Sequence, residues 1–150
     1  MIYKYESYKN GIYKTGYKEI NEMTVPAYKR HLSPVEFISS AQELLRYTVK
    51  VCERIPKRYT FFGVSHAYEL AQDILDNCIR ANITNVNTNK ELRLEYLNKA
   101  ISSLACLSNH IQTLKIYGPN VEDRQWELLC TKLSLTEKLI KSIIRSDKER

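Results

Sequence analysis

Four prolines and four glycines are all that punctuate this 150-residue chain, and their positions decide what it can fold into. Both residue types interrupt regular helices. Beyond residue 32 only Pro34, Pro56, Gly63, Gly118 and Pro119 remain, leaving long uninterrupted stretches. Within those stretches apolar residues recur at spacings of three and four, the mark of helices with one buried face.

Ser33-Pro34-Val35-Glu36 reads as a helix start. Ser33 is suited to cap a free N–H, Pro34 to the first helical position, and Glu36 to close a capping box. Phe37, Ala41, Leu44, Leu45, Thr48, Cys52 and Ile55 then form one face, and Pro56 ends it. After a tight connection through Gly63, with Thr60 or Ser65 as the expected cap, a second face follows. It comprises Ala67, Leu70, Ala71, Ile74, Leu75, Cys78 and Ala81, and fades into the helix-poor run from Asn82 to Asn89. A third helix is predicted from near Lys90, carrying Leu94, Leu97, Ala100, Ile101, Leu104, Leu107, Ile111 and Leu114. Gly118 is expected to close it in the left-handed conformation, with Pro119 barring continuation. Asn120 is the expected cap of a fourth helix, with Asp123 in its first turn and Leu129, Leu133, Thr136, Ile140, Ile143 and Ile144 on its inner side. Four helices of about 20–27 residues with short links predict an all-α fold, an antiparallel up-down-up-down four-helix bundle over residues 32–150. No period-2 alternation is strong enough to predict a sheet.

Residues 1–31 form a separate extension. The dipeptide Tyr-Lys occurs there five times, at Tyr3, Tyr8, Tyr13, Tyr17 and Tyr28, and six of the eleven tyrosines fall within it. Tyr3, Tyr8, Tyr13 and Tyr17 are spaced by five, five and four, neither a clean helical nor a clean strand period. Six basic and three acidic residues give this extension a net charge of +3, half of the chain's +6. Three readings stay open: a strap whose amphipathic tyrosines pack on protein, a flexible arm, or a nucleic-acid arm whose rings stack on bases.

The composition, 43% hydrophobic and 27% charged, is that of a globular protein. No apolar run approaches the ~18 residues that would cross a bilayer, and the polar N-terminus does not resemble a signal peptide. A cytoplasmic protein without membrane contact is the expectation. Cys52, Cys78, Cys106 and Cys130 contain no CxxC pair, and each lies within a helical pattern, where a reduced thiol acts as a small core hydrophobe. His31, His66 and His110 show neither HExxH nor ExxH spacing, and Cys106 and His110 share a helix face without a third partner. No phosphate-cradling glycine loop or GxSxG elbow is present. These absences predict a protein that is not an enzyme and needs no cofactor or metal.

Basic side chains carry the remaining signal. Arg46, Lys50 and Arg54 stand at i, i+4 and i+8, and Lys57 and Arg58 continue the stripe beside Tyr59, Phe61 and Phe62. Lys138, Lys141, Arg145 and Lys148 form a second stripe on the fourth helix. Glu43, Glu53 and Glu137 partly offset both. If the two stripes merged across neighbouring helices, they would hold phosphates without reading sequence.

The stretch Ile55–Gly63, IPKRYTFFG, and the Tyr96-Leu97-Asn98-Lys99-Ala100 segment of the third helix resemble the Avd-like four-helix-bundle family. That family comprises the accessory variability determinants of diversity-generating retroelements and the related ribosomal-RNA intervening-sequence proteins. The resemblance spans roughly residues 32–146, and Lys57 and Arg58 fall on the family's Pro-basic segment. It implies a non-enzymatic basic bundle, a ring-like homopentamer, and binding to nucleic acid and a reverse transcriptase. Three stretches depart from the pattern. LACLSNHIQTL replaces an arginine-bearing stretch in the third helix, KSIIRSDKER replaces a Gly-Gly-Trp-like tail, and the extension has no family counterpart. The expected function is therefore a basic accessory bundle binding RNA or DNA, beside a reverse transcriptase or another mobile-element enzyme. The alternatives are a protein-interaction or structural oligomer without nucleic-acid affinity, and an accessory factor for DNA mobilisation.

Overall fold

The computed structural model describes the backbone of residues 2–9, 12–19 and 33–149, and the side chains of residues 36–149. The chain divides into two compact units, Met1–Ser33 and Pro34–Arg150. Tyr28-Lys29, His31 and the boundary at residue 32 lie outside the described residues, as do the side chains of Ser33 and Pro34 on which the predicted capping box rests.

In the first unit, β1 (Ile2–Lys9) and β2 (Ile12–Glu19) pair antiparallel. The register sets Tyr3 opposite Lys18, Lys4 opposite Tyr17, and Tyr8 opposite Tyr13. The expectation that no sheet forms is corrected here. Alternation failed as a signal because in β1 tyrosine and lysine occupy both odd and even positions, and only β2 keeps Tyr13 and Tyr17 on one parity and Lys14 and Lys18 on the other. The overlooked signal is the pair between the strands, Asn10-Gly11, the strongest short hairpin dipeptide.

The second unit is helical: α1 (Ser33–Cys52), α2 (Ser65–Ile83), α3 (Lys90–Tyr117) and α4 (Asp123–Lys148). The α2 face predicted from spacing is buried in full. Phe37, Leu44, Ile74, Leu97, Leu107, Ile111, Leu114, Leu129 and Ile140 are the largest fully buried apolar side chains. Leu45, Leu94, Ile101, Ile143 and Ile144 lie half-buried at the margin. Trp126, which the spacing did not single out, is buried in the first turn of α4. Cys52 and Cys78 are core residues, but Cys130 is half-buried and Cys106 exposed. Cys106 sits about 100° round the helix from Leu107 and so leaves the buried face.

Polar contacts bind the helices to one another. Thr136 donates its single hydroxyl proton to the Lys132 carbonyl at 2.9 Å, so Ser40, 2.7 Å away, donates to the Thr136 oxygen. Arg93 and Asp147, both buried, form an ion pair at 2.6 Å, and the guanidinium also donates to the Ala81 carbonyl at 3.0 Å. One side chain thus joins the end of α2, the start of α3 and the end of α4.

The ends of the helices differ from expectation. α1 stops at Cys52, four residues before Pro56. Neither Thr60 nor Ser65 caps α2 with its side chain, because the chain ahead is already helical and the Ser65 N–H bonds to the Thr60 carbonyl. Gly118 is not left-handed (φ −122°, ψ 61°). A Cβ there would sit 3.0 Å from Ile55 Cγ1, so glycine is needed for space. Residue 122, not Asn120, precedes α4, and no side chain caps it.

Candidate nucleic-acid interface

The connection between α1 and α2 carries the most concentrated basic and aromatic chemistry. Pro56 is extended (φ −54°, ψ 137°) and leads into the next turn. A 3-10 turn, Lys57–Tyr59, then runs into a π turn, Thr60–Val64. Ile55, Gly63 and Val64 point inward. The Tyr59 ring stacks on Tyr117 with centroids 4.7 Å apart and planes 18° from parallel. Gly63 backs onto the same Tyr117, where a Cβ would meet Cδ2 at 3.0 Å. His110 Nε2 lies 2.8 Å from the Gly63 carbonyl. A carbonyl only accepts, so this nitrogen carries the proton. Its ring meets His66 edge-on at 4.7 Å. The turn is thereby fixed to the last turns of α3.

What it presents outward is Lys57, Arg58, Phe61 and Phe62. Phe61 is 84% exposed and Phe62 71%, with ring centroids 5.5 Å apart and planes at 88°. Burying one phenylalanine stabilises by about 1.5–3 kcal/mol, a gain that both rings forgo where they stand. Arg58 lies over the Tyr59 ring at 4.8 Å, within cation–π range. With the Gln125 amide turned so that its oxygen faces Arg54, that oxygen accepts from both terminal nitrogens of Arg54 at 3.1 and 3.2 Å. No carboxylate occurs in the sequence between Glu53 and Glu69. Among the described residues, Arg54, Lys57 and Arg58 have no carboxylate partner.

The other predicted contacts are dispersed. Arg46 is tied to Glu43 at 2.6 Å. Lys50 lies 5.9 Å from the centre of the Tyr47 ring. Lys132, absent from the sequence-based set, meets the same ring at 5.3 Å and Glu43 at 3.9 Å. Lys141 pairs with Glu137 at 2.6 Å, while Lys138 and Arg145 are exposed. Arg54 lies beside Gln125 and Ser40 beside Thr136. Lys141 and Arg145 therefore stand near the opposite end of α1 from Lys57 and Arg58. From residue 125 to residue 145 is about 30 Å of helix, which separates the far ends of the two stripes, while nearer the middle Lys50 and Lys132 meet the same Tyr47 ring.

Other chemistry is sparse. Among the described residues no group of three or more His, Cys, Asp or Glu side chains could hold a metal, and no helix is long and apolar enough to cross a membrane. An open groove of about 530 Å³ between α3 and α4, lined in part by Leu104, Cys130, Leu133 and Glu137, gathers no catalytic constellation. Burial pushes the thiols of Cys52 and Cys78 up to about 12, leaving both un-ionised and poorly nucleophilic near neutrality. Comparison of the chain with protein-family models, curated proteins and solved structures returns no match.

Proposed function

We propose that this protein is a non-enzymatic, basic helical-bundle accessory factor that binds nucleic acid through the connection between α1 and α2. The observation that carries the reading is the set Arg54, Lys57 and Arg58, free of carboxylate partners among the described residues, beside two exposed phenylalanines. Lys50 extends it along α1. Such a surface takes up phosphates by displacing their counterions, without sequence readout. Lys138, Lys141 and Arg145, on α4, form a second phosphate-contacting stripe in this reading.

The helices are read as an antiparallel up-down-up-down bundle. Contacts of Ser40 with Thr136 and Arg54 with Gln125 run oppositely along α1 and α4 and support that order. The joint held by Arg93 supports it for α2, α3 and α4. Membership of the Avd-like family, a homopentameric state, and a reverse transcriptase or other mobile-element enzyme as partner are proposed from the likeness of IPKRYTFFG and of Tyr96–Ala100, and a cytoplasmic location from the sequence expectation above.

Fluorescence anisotropy with labelled RNA and DNA tests the reading. Affinity should fall steeply with salt, and the four-fold variant Lys50→Glu, Arg54→Glu, Lys57→Glu, Arg58→Glu should lose binding while keeping its helical circular dichroism. Binding indifferent to salt, or retained by that variant, would refute it. A second reading, a protein-interaction module, is favoured by the exposure of Phe61 and Phe62. A partner retained after nuclease treatment, by a protein with no nucleic-acid affinity, would establish it instead.

A further inference from the structure

We infer that the surface between α1 and α2 takes single-stranded nucleic acid, with unpaired bases stacked on Phe61 and Phe62 while Lys57 and Arg58 hold the adjoining phosphates. The inference rests on the nucleic-acid reading above and narrows it to one strand state. Phenylalanine has no hydrogen-bonding group, so neither ring can hydrogen-bond to phosphate or to a base edge in a groove. What a bare aromatic ring offers nucleic acid is a face for stacking, and base faces are open in a single strand and covered in a duplex.

An alternative use of exposed phenylalanine is as a wedge between the base pairs of a bent duplex. The geometry disfavours it. Two rings at 88° with centroids 5.5 Å apart cannot both lie parallel to the bases in one step, whose spacing is about 3.4 Å. A flexible strand can place successive bases against differently oriented rings. The platform is also held ready. Gly63 and Val64 turn inward, and Tyr59 and His110 fix the turn to α3. The rings need no rearrangement to be reached.

The test uses the full chain and the variant Phe61→Ala/Phe62→Ala. Both side chains are exposed, so the variant should retain its circular dichroism and melting temperature. Probes are labelled dT and U oligomers and a DNA duplex of equal length, titrated at two salt concentrations. The variant should weaken oligomer binding by about 10-fold or more and leave duplex binding within about two-fold. The salt dependence should not change, because no charge is removed. 2-Aminopurine placed in the oligomer should lose fluorescence on binding to the parent and not to the variant. The dT and U arms show whether DNA or RNA is preferred, and either outcome fits.

Equal loss of oligomer and duplex binding, or no loss of either, overturns the inference. So does a change in oligomeric mass on light scattering with strand binding intact, which would assign the rings to a second copy of the chain. If the parent protein binds no polynucleotide, the broader reading fails as well. If it binds with steep salt dependence and the variant matches it, the stacking inference alone fails.

Discussion

Arg93 and Asp147 each carry the wrong charge for their own helix end. A cation in the first turn of α3 and an anion in the last turn of α4 both oppose the helix dipole. Their 2.6 Å pairing, and the 3.0 Å bond from Arg93 to the Ala81 carbonyl, make them mutually dependent. Replacing Asp147 with Leu leaves a buried guanidinium holding one carbonyl. Breaking a buried pair from one side costs about 3–5 kcal/mol, and fraying of the last turn of α4 brings the expected loss to the lower end, ~3 kcal/mol. Arg93→Met should cost a similar amount. For a helical unit of roughly 120 residues the unfolding entropy is about 0.25 kcal/mol/K, so each single variant should melt ~12 °C lower. The double variant Arg93→Met/Asp147→Leu removes both charges and should recover most of the loss, giving a coupling of at least ~2 kcal/mol. Urea unfolding followed at 222 nm measures all four proteins. Additive losses, or single-variant losses below about 1 kcal/mol, would refute the mutual dependence.

Alanine at position 63 would ordinarily help a helix by about 1 kcal/mol. Here its Cβ would press on Tyr117, which is stacked on Tyr59, so Gly63→Ala should destabilise by about 1–2 kcal/mol; a higher urea midpoint would contradict this. Cys106 should react with Ellman's reagent in the native protein, and Cys52 and Cys78 only on unfolding. The same two thiols have folded pKa values raised from 9.0 to about 12. Their contribution to stability is therefore complete below pH 9 and is lost as pH rises towards 12. The alkaline fall in urea midpoint should be shallower for Cys52→Ala/Cys78→Ala than for the parent, and equal slopes would contradict the burial of these thiols.

The spacing of three and four located the helices well, because burial of one face is what it records. All seven residues predicted for α2 lie in the core, and α3 begins where Lys90 was expected. Helix ends were less legible. They depend on how neighbouring chain packs, as where Ile55 fills the space beside Gly118. The pairing of Arg93 with Asp147, 54 residues apart, has no sequence signal, because nothing local announces a contact across the fold. At the candidate interface the composition of PKRYTFF was visible, but the exposure of both phenylalanines was not. It follows from a π turn that directs Gly63 and Val64 inward. Nor could spacing reveal the register of α1 against α4, which brings Lys132 to the Tyr47 ring that Lys50 also meets.

The two-stranded sheet of residues 2–19 has a consequence for handling the protein in solution. β1 and β2 pair only with each other among the described residues, so both strands are edges, and an edge is a template on which another chain can add. Lys4, Lys9, Lys14 and Lys18 distribute positive charge along both strands, and lysine is a common means of discouraging strand-to-strand stacking. The Tyr-Lys repeat therefore combines rings that favour strand pairing with charges that limit it to two strands. Polyanions or high salt, by masking those charges, should promote growth of this sheet into fibrillar aggregates.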